Sequence, residues 1–276
     1  MRVSVLLMLA LSACAAFAEG PRGEIRCEGV YPWHLQGVAT DGTNVFWTFT
    51  TVLVKTDLSG KVLAKDEVPN GMHMGDLCCR KGKVYVGMNM GTSDGCRVGD
   101  EIWEYDVATL KLLAKHPTPE AVFCNNGLEW YGGSYWVTTS APRYSRYNLL
   151  FRYSKDFKFM GCRFIDSGWT NLGVQTICLY GDKMLLGCYG CNDDPKEPHP
   201  NSTLVVDPAL LPKSSRYAKD YVPIVPCEKR VECNTSEGML VLDGRLWEAH
   251  GIRLHPKGET KHQKWSARLV PTKCRF

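Results

Sequence analysis

Two histidines occupy matching positions in neighbouring parts of the sequence. His34 lies eleven residues before Val45 in HLQGVATDGTNVFW, and His73 lies eleven residues before Val84 in HMGDLCCRKGKVYV. A neutral imidazole can both accept and donate a proton, and its free nitrogen is a common metal ligand. Two histidines in one register therefore predict either acid–base chemistry or metal binding at a shared site.

The same register continues through the rest of the chain. Counting eleven residues back from Tyr135, Met184 and Leu246 adds three more positions to the two histidines. Side chains two residues apart in a strand point to the same side, so a second column follows two residues later. The first column is His34, His73, Cys124, Gly173 and Thr235, and the second is Gln36, Gly75, Asn126, Gln175 and Glu237.

Five units of short strands carry these columns. Each unit has an apolar strand, a tight turn rich in Gly, Asp, Asn or Lys, and a second apolar strand, which is typical of a β-hairpin. A third strand follows in most units, as in VLVKTD, IWEYD, LLFRYS and TLVVD, and KVLAK, KLLAK and FKFMGC supply a fourth. Units of roughly 40–60 residues without helical periodicity predict an all-β, five-bladed β-propeller with four-stranded antiparallel blades. The blades should start near residues 34, 73, 124, 173 and 235.

The two chain ends predict how the ring closes. The fifth unit runs out after KWSARLV, whereas EIRCEGV at 24–30 precedes the first unit. This N-terminal strand should complete the last blade, so that no sheet edge stays open. A sixth blade within 192–233 is the alternative, but PKEPHP and PIVPCEK in that stretch are typical of loops.

The sequence resembles known propellers in two ways. VLVKTDLSGKVLAK and IWEYDVATLKLLAK resemble outer strands of propellers with NHL-type or quinoprotein-like repeats. LQG at 35–37, NGLE at 126–129 and SEG at 236–238 resemble the blade openings of the five-bladed glutaminyl cyclotransferases, which cyclise N-terminal glutamine. The second resemblance implies Glu237 as the proton-transferring acid or base. Glu129 is the lesser candidate, because strand alternation should turn it away from the channel.

If both columns face the channel, polar groups from all five blades meet at one mouth. The candidate catalytic residues are then His34, His73 and Glu237, with the two histidines on adjacent blades. The imidazoles with Glu237 or Asp76 would also suit a divalent metal of unknown identity. The alternative is a polar plug in which these groups satisfy one another. The candidate ligand-binding residues are Gln36, Asp76, Asn126, Gln175 and Trp33.

Weaker patterns accompany this site. Cys188-Tyr-Gly-Cys191 has the spacing of a redox or metal pair, but a lone CxxC favours structural disulfides. The loop at 192–200 has enough carboxylate oxygens for calcium, yet it lacks the ordered spacing of a calcium loop. The aromatic residues that flank blade starts could stack on sugar rings or pack between blades; they are Tyr31, Trp33, Trp169 and Tyr189.

The first residues predict export. MRVSVLLMLALSACAAFAEG has one arginine, an apolar run from Val3 to Leu11 and small residues before Glu19, so 1–18 is a predicted signal peptide. The run is shorter than the roughly 20 residues that span a bilayer, and no later segment comes closer. Leu11-Ser12-Ala13-Cys14 resembles a lipobox, so a lipid anchor on Cys14 is the alternative. Removing residues 1–18 from the 276 leaves 258, one secreted or periplasmic domain at 19–276.

Charge and cysteine content narrow the partners. The formal net charge of +4 falls to +3 once Arg2 is lost, and there is no long basic run, so neither nucleic acid nor a membrane surface is indicated. Thirteen cysteines become twelve without Cys14, and an even number in an exported chain predicts disulfides. The most plausible local bridge is Cys227 to Cys233. We expect a monomer.

Two classes of function remain open. The first is an exported hydrolase, lyase or cyclotransferase that acts on a small molecule or saccharide at the channel mouth. The second is a non-catalytic propeller that binds a ligand or a protein. GxSxG, GxxxxGK and GxGxxG are all missing, which argues against a serine nucleophile elbow, a phosphate loop and a dinucleotide fold. The sequence does not decide whether the chain is an enzyme.

Overall fold

The computed structural model describes residues 23–93, 96–97, 99–142, 145–190, 199–212, 224–259 and 261–276. The predicted signal peptide, the lipobox cysteine Cys14, Cys191 and most of the loop at 192–200 lie outside these ranges. Within them, no helix has both the length and the apolar character needed to cross a membrane.

Short strands make up nearly all of the regular structure. The first part of the chain contains β1 (Ile25–Pro32), β2 (Leu35–Thr40), β3 (Asn44–Phe49), β4 (Val52–Asp57), β5 (Val62–Glu67), β6 (His73–Arg80), β7 (Lys83–Asn89), β8 (Thr92–Ser93), β9 (Cys96–Arg97), β10 (Glu101–Asp106) and β11 (Leu112–Pro117). The second part contains β12 (Asn125–Tyr131), β13 (Ser134–Thr139), β14 (Tyr147–Tyr153), β15 (Phe159–Asp166), β16 (Asn171–Tyr180), β17 (Lys183–Tyr189), β18 (Ser202–Val206), β19 (Ile224–Pro226), β20 (Lys229–Glu232), β21 (Met239–Leu242), β22 (Arg245–Arg253) and β23 (Lys264–Pro271). A 3-10 helix covers Pro208–Leu210.

The strands form five blades around a common axis. From the axis outward, the blades are β2-β3-β4-β5, β6-β7-β10-β11, β12-β13-β14-β15, β16-β17-β18-β20 and β21-β22-β23-β1. The third blade carries β19 as an extra strand, parallel to β15, and β8 pairs with β9 in a small hairpin. The prediction of an all-β, five-bladed propeller is confirmed.

The ring closes as the chain ends predicted. Strand β1 pairs antiparallel with β23, with Ile25 opposite Leu269, and so forms the outer strand of the fifth blade. The stretch 192–233 forms no sixth blade among the described residues, because its strands β18 and β20 belong to the fourth blade and β19 to the third. Residues from both ends of the chain therefore share one sheet.

The core lies between the faces of neighbouring blades. Trp47, Trp136 and Trp247 lie on second strands of their blades and are completely or almost completely buried. Burying one large apolar side chain contributes roughly 1.5–3 kcal/mol, so these contacts supply much of the ring's stability. Near the axis the inner strands almost touch: a Cβ on Gly75 would lie 2.5 Å from the backbone oxygen of Asn126. Only glycine fits at that position.

One disulfide joins Cys233 to Cys274, with Cα atoms 6.3 Å apart. The predicted bridge from Cys227 to Cys233 is wrong, and Cys227 is a free thiol. Strand β20 runs between these two cysteines, paired with β18, and an extended strand holds its two ends too far apart for a bridge. The other free cysteines of the described residues, several of them buried among apolar side chains, are Cys27, Cys78, Cys79, Cys124, Cys162, Cys178 and Cys188.

Candidate functional site

A cavity of about 210 Å³ lies at the end of the channel where the inner strands begin. Four blades contribute to its walls, and both columns predicted from the sequence are represented. Its lining residues are His34, Gln36, His73, Gly75, Asn89, Cys124, Asn125, Asn126, Ser140, Leu172, Gln175 and Tyr189. We call it the mouth cavity.

The two histidines of the mouth cavity lie on adjacent blades. Their ring centroids are 6.4 Å apart, with the ring planes at 76°. The side-chain amide of Gln36 donates to Nε2 of His34 at 2.6 Å, which places the His34 ring proton on Nδ1. His73 forms no hydrogen bond with any side chain or backbone group of the described residues outside its own strand pairing. Both nitrogens of its ring are therefore open to a ligand.

Burial keeps both imidazoles neutral. It lowers the pKa of His34, and the positive charge of Arg253 adds to that effect. Burial also lowers the pKa of His73 to about 4, with His34 contributing in the same direction. At neutral pH each ring therefore offers one donor and one acceptor.

Bulky residues with a left-handed backbone surround this mouth. The φ angles are 66° at Trp33, 69° at Phe123, 81° at Cys124 and 61° at Leu172. Trp33, Phe123 and Leu172 each immediately precede a residue of the first predicted column. Such φ values are rare outside glycine and persist only where the surrounding structure enforces them, which happens often at binding sites.

Glu237 lies beside the mouth cavity but does not line it. Its Oε2 accepts a hydrogen bond from the backbone N–H of Gly251 at 2.5 Å. Burial raises the pKa of Glu237, whereas the Gly251 N–H, His250 and Arg253 oppose that rise. Burial raises the pKa of Tyr189, and the nearby charge of Glu237 raises it further. Glu237 can therefore influence a ligand through Tyr189.

Two predicted ligand-binding residues lie elsewhere. Asp76 is buried deeper in the ring, where Oδ1 accepts from the N–H of Val38 at 3.2 Å and Oδ2 from the N–H of Ile177 at 3.1 Å. It thus joins the second blade to the first and the fourth, and burial raises its pKa well above the usual value. Trp33 lines a separate surface pocket of about 430 Å³ with Lys261 and other residues. The left-handed backbone of Trp33 turns its side chain toward this surface pocket and away from the mouth cavity.

A second cavity of about 180 Å³ lies at the opposite end of the channel, and all five inner strands contribute to it. Most of its lining side chains are aliphatic, but Glu129, Cys78 and Cys178 line it as well, and polar atoms make up much of its surface. The expectation that Glu129 points away from the channel is wrong. A β-bulge between Asn125 and Leu128 shifts the alternation of the strand. Burial raises the pKa of Glu129 to about 7.

The donor atoms do not favour a metal at the mouth cavity. Of the residues that the structure describes, only Cys233, Glu248 and Cys274 bring three ligand atoms within 4.8 Å of one another. The disulfide uses both of those sulfur atoms. Within the described part of the chain, His34 and His73 have no carboxylate close enough to complete a site of three protein ligands.

Several residues in or near the mouth cavity were not predicted from the sequence. Asn89, Ser140 and Tyr189 each lie five residues after the aligned apolar residue of their unit, so the register that found the histidines also contains a third column. Arg253 and Trp265 come from the fifth blade, where they face each other across β22 and β23. No repeat position marks them in the sequence.

No family model matches the chain, and no curated protein matches it. A protein of unknown function from Bacteroides caccae is similar at 15% identity, with a TM-score of 0.45, over 78% of this chain and 70% of that one. A subtype N11 neuraminidase-like protein of A/flat-faced bat/Peru (H18N11) is similar at 10% identity, with a TM-score of 0.45, over 87% and 73%. The β-propeller domain of Cps50 (Swd1) from Myceliophteria thermophila is similar at 11% identity, with a TM-score of 0.43, over 72% and 61%. These similarities assign no function to this chain.

Proposed function

We propose that the mouth cavity binds a small hydroxylated molecule, such as one saccharide unit, and that His73 exchanges a proton with it. The observation that carries this proposal is the pair of neutral imidazoles on adjacent blades, with His34 held by Gln36 and His73 open to the cavity. His73 is present as the free base at neutral pH, because its pKa lies near 4. Its free nitrogen can therefore accept a hydrogen bond from a bound hydroxyl group, and it takes the proton only in a transition state in which that hydroxyl group has become more acidic.

The size and lining of the cavity support a small polar occupant. Its volume of about 210 Å³ is below the roughly 300–1,000 Å³ of sites for drug-sized molecules. The oxygens of the side-chain amides present acceptors that match hydroxyl groups, whereas most of the amide N–H groups already donate within the protein. Tyr189 supplies a phenol on the far side from the first blade, and Glu237 acts through it as a positioning residue. The reaction is then a proton-assisted hydrolysis, elimination or cyclisation.

A non-catalytic binding propeller is the second candidate, and the amides of the third and fourth blades favour it. Asn126 donates to Ser140 Oγ at 3.0 Å and to the backbone oxygen of Val174 at 3.1 Å. Gln175 donates to the backbone oxygen of Leu172 at 2.8 Å. These bonds stabilise the ring, so part of the polar lining serves the fold. In this candidate the ligand binds without turnover.

We also propose that the protein is exported, after cleavage of residues 1–18 or with a lipid on Cys14. The Cys233–Cys274 disulfide supports this, because disulfides persist in oxidising compartments. Cell fractionation with antibody detection tests it. A protein found only in the cytoplasm contradicts it.

The function is tested by turnover and binding with histidine variants. The probes are nitrophenyl glycosides, simple sugars and a peptide that begins with glutamine, whose cyclisation releases ammonia. With whichever probe reacts, His73→Ala should lower the rate by about a hundredfold or more, the range expected for general acid–base catalysis. The free energy of unfolding should change by less than about 1 kcal/mol, because His73 has little to lose in hydrogen bonding.

The matched control is His262→Ala, since His262 is exposed in a loop. It should leave both rate and stability unchanged. A probe that binds, fails to react and loses affinity in His73→Ala supports the non-catalytic candidate. Unchanged binding and turnover in His73→Ala, or a stability loss of several kcal/mol, contradicts both candidates and favours a purely structural plug.

A further inference from the structure

Arg253 is a cation of the fifth blade that lies near the mouth cavity without lining it. It is the last residue of β22 and is exposed. Its guanidinium lies over the ring of Trp265, 5.2 Å from the centroid. Among the described residues no carboxylate forms an ion pair with it, and its N–H groups donate to no side chain there.

Trp265 connects Arg253 to the histidine site. Its ring centroid is 5.9 Å from that of His34, and the two rings are tilted by 55°. The indole thus lies next to both the cation and the imidazole. Stacking on an aromatic ring restricts the orientation of a guanidinium and leaves its edge N–H groups free.

The positive charge of Arg253 is offset only in part, through its attraction to the Glu237 carboxyl, with which it forms no ion pair among the described residues. Both imidazoles are neutral, and Glu237 accepts a hydrogen bond from the Gly251 N–H. Arg253 is close enough to both groups to affect their pKa values: it helps to lower that of His34 and opposes the rise in that of Glu237. Burial is the larger cause of both shifts. An anionic group on a ligand would complete this arrangement.

A guanidinium fork matches a carboxylate in geometry, because two parallel N–H groups meet two oxygens. The amides of Gln36, Asn126 and Gln175 line the cavity, and their oxygens can accept hydrogen bonds from hydroxyl groups. A molecule that satisfies both regions carries a carboxylate at one end and several hydroxyls on a small body.

We propose that the ligand of the mouth cavity is a sugar carboxylate of the uronic acid class, with its carboxylate on Arg253 and its hydroxyls on the amide side chains. This proposal rests on the proposed function of the same cavity. It makes Arg253 the residue that selects acidic over neutral sugars.

Calorimetry with matched sugars tests the assignment. The probes are glucuronate against glucose, galacturonate against galactose, and acetate alone. We expect each uronate to bind about tenfold more tightly than its neutral partner, as for one added charge-assisted hydrogen-bonded pair. Arg253→Gln should remove that preference and leave neutral-sugar affinity unchanged, whereas Arg253→Lys should retain part of it. High salt should weaken the preference, because the pair is partly exposed.

Arg245→Gln is the matched control, because Arg245 is an exposed arginine at the other end of β22. It should keep the full preference. Equal affinity for acid and neutral sugar overturns the uronate assignment and leaves the proposed function intact, since neutral-sugar binding still reports the cavity. Acetate binding as tightly as the uronates overturns it as well, and so does binding of neither sugar pair. The His73→Ala comparison with the glycoside and peptide probes then decides the proposed function separately.

Discussion

The two ends of the channel are built from the same inner strands and carry different sets of side chains. The mouth cavity carries imidazoles, amides and hydroxyls, and left-handed residues surround it. The other cavity is lined by side chains such as Leu77, Ile177 and Met239, by thiols, and by the carboxyl of Glu129. Polar side chains that could contact a ligand are thus concentrated at one end, whereas the polar surface of the other cavity comes largely from Glu129 and backbone atoms. The arrangement of strands is the same at both ends of the ring, so it does not show where a ligand would bind. The difference in side chains points to the mouth cavity.

Asp76 separates the two ends. Both of its oxygens accept backbone N–H groups, from Val38 of the first blade and Ile177 of the fourth. A carboxylate with every oxygen engaged is a structural tie, whereas His73, three residues earlier, has no such partners. Asp76 is therefore a buried polar group that holds the ring together, whereas His73 is one that remains available to a ligand.

The largest expected effect concerns this tie. Asp76→Leu leaves the N–H groups of Val38 and Ile177 unpaired in the interior, so we expect the free energy of unfolding to fall by about 3 kcal/mol. Asp76→Asn should cost less, because its one oxygen still accepts one N–H while its NH₂ faces the other. Urea unfolding measures both. If the Asp76→Leu variant is as stable as the unaltered protein, the hydrogen bonds of Asp76 do not hold the blades together between the two ends of the channel.

The next effect concerns Glu129 and pH. Its pKa in the folded protein, about 7, is above the ordinary value of 4.5. Its contribution to stability is therefore fully present below pH 4.5 and lost as the pH rises through 7. We expect this to lower the free energy of unfolding by about 3 kcal/mol over that range. Glu129→Gln should remove the loss.

Glu67→Gln is the control for that measurement, because Glu67 is 62% exposed on an outer strand. The difference between each variant and the unaltered protein is followed by urea unfolding across the pH range. If Glu129→Gln and Glu67→Gln give the same pH profile, Glu129 is not a desolvated acid and the contrast between the ends is weaker than described.

The smallest effect on stability is expected at Gln36. Gln36→Leu removes the donor to His34 Nε2 and should cost about 1 kcal/mol of the free energy of unfolding. Nitrogen NMR of the imidazole should then show loss of the single Nδ1–H tautomer of His34. Ligand affinity should fall with it, since His34 no longer has a fixed orientation. An unchanged tautomer would mean that another group orients this ring.

The architecture was predictable because strands can be counted from aligned apolar residues, and both histidines followed from the same count. The exceptions arise where the backbone departs from regular alternation. Nothing in the sequence marks the bulge that turns Glu129 into the channel, or the one between Met74 and Leu77 that places Asp76 in the interior. Likewise, the φ of 66° that directs Trp33 into another pocket belongs to a residue type that rarely adopts it.

Residues outside the repeat register could not be predicted from the sequence either. Arg253 matters because of Trp265, which faces it across two strands of the fifth blade, and this pairing depends on the strand register. The disulfide depends on where the C-terminal tail returns to Cys233, which cysteine spacing does not reveal. Local pattern predicts blades, whereas contacts between distant segments complete the site.

The most direct test of the central claim is histidine side-chain NMR of the protein titrated with glucose and with glucuronate. Variants of His34 and His73 assign the ring signals. We expect the signals of both rings to shift and saturate as a sugar is added, while the signal of the exposed His262 stays in place. Signals of His34 and His73 that do not move, or that move no more than that of His262, would contradict a ligand site at the mouth cavity.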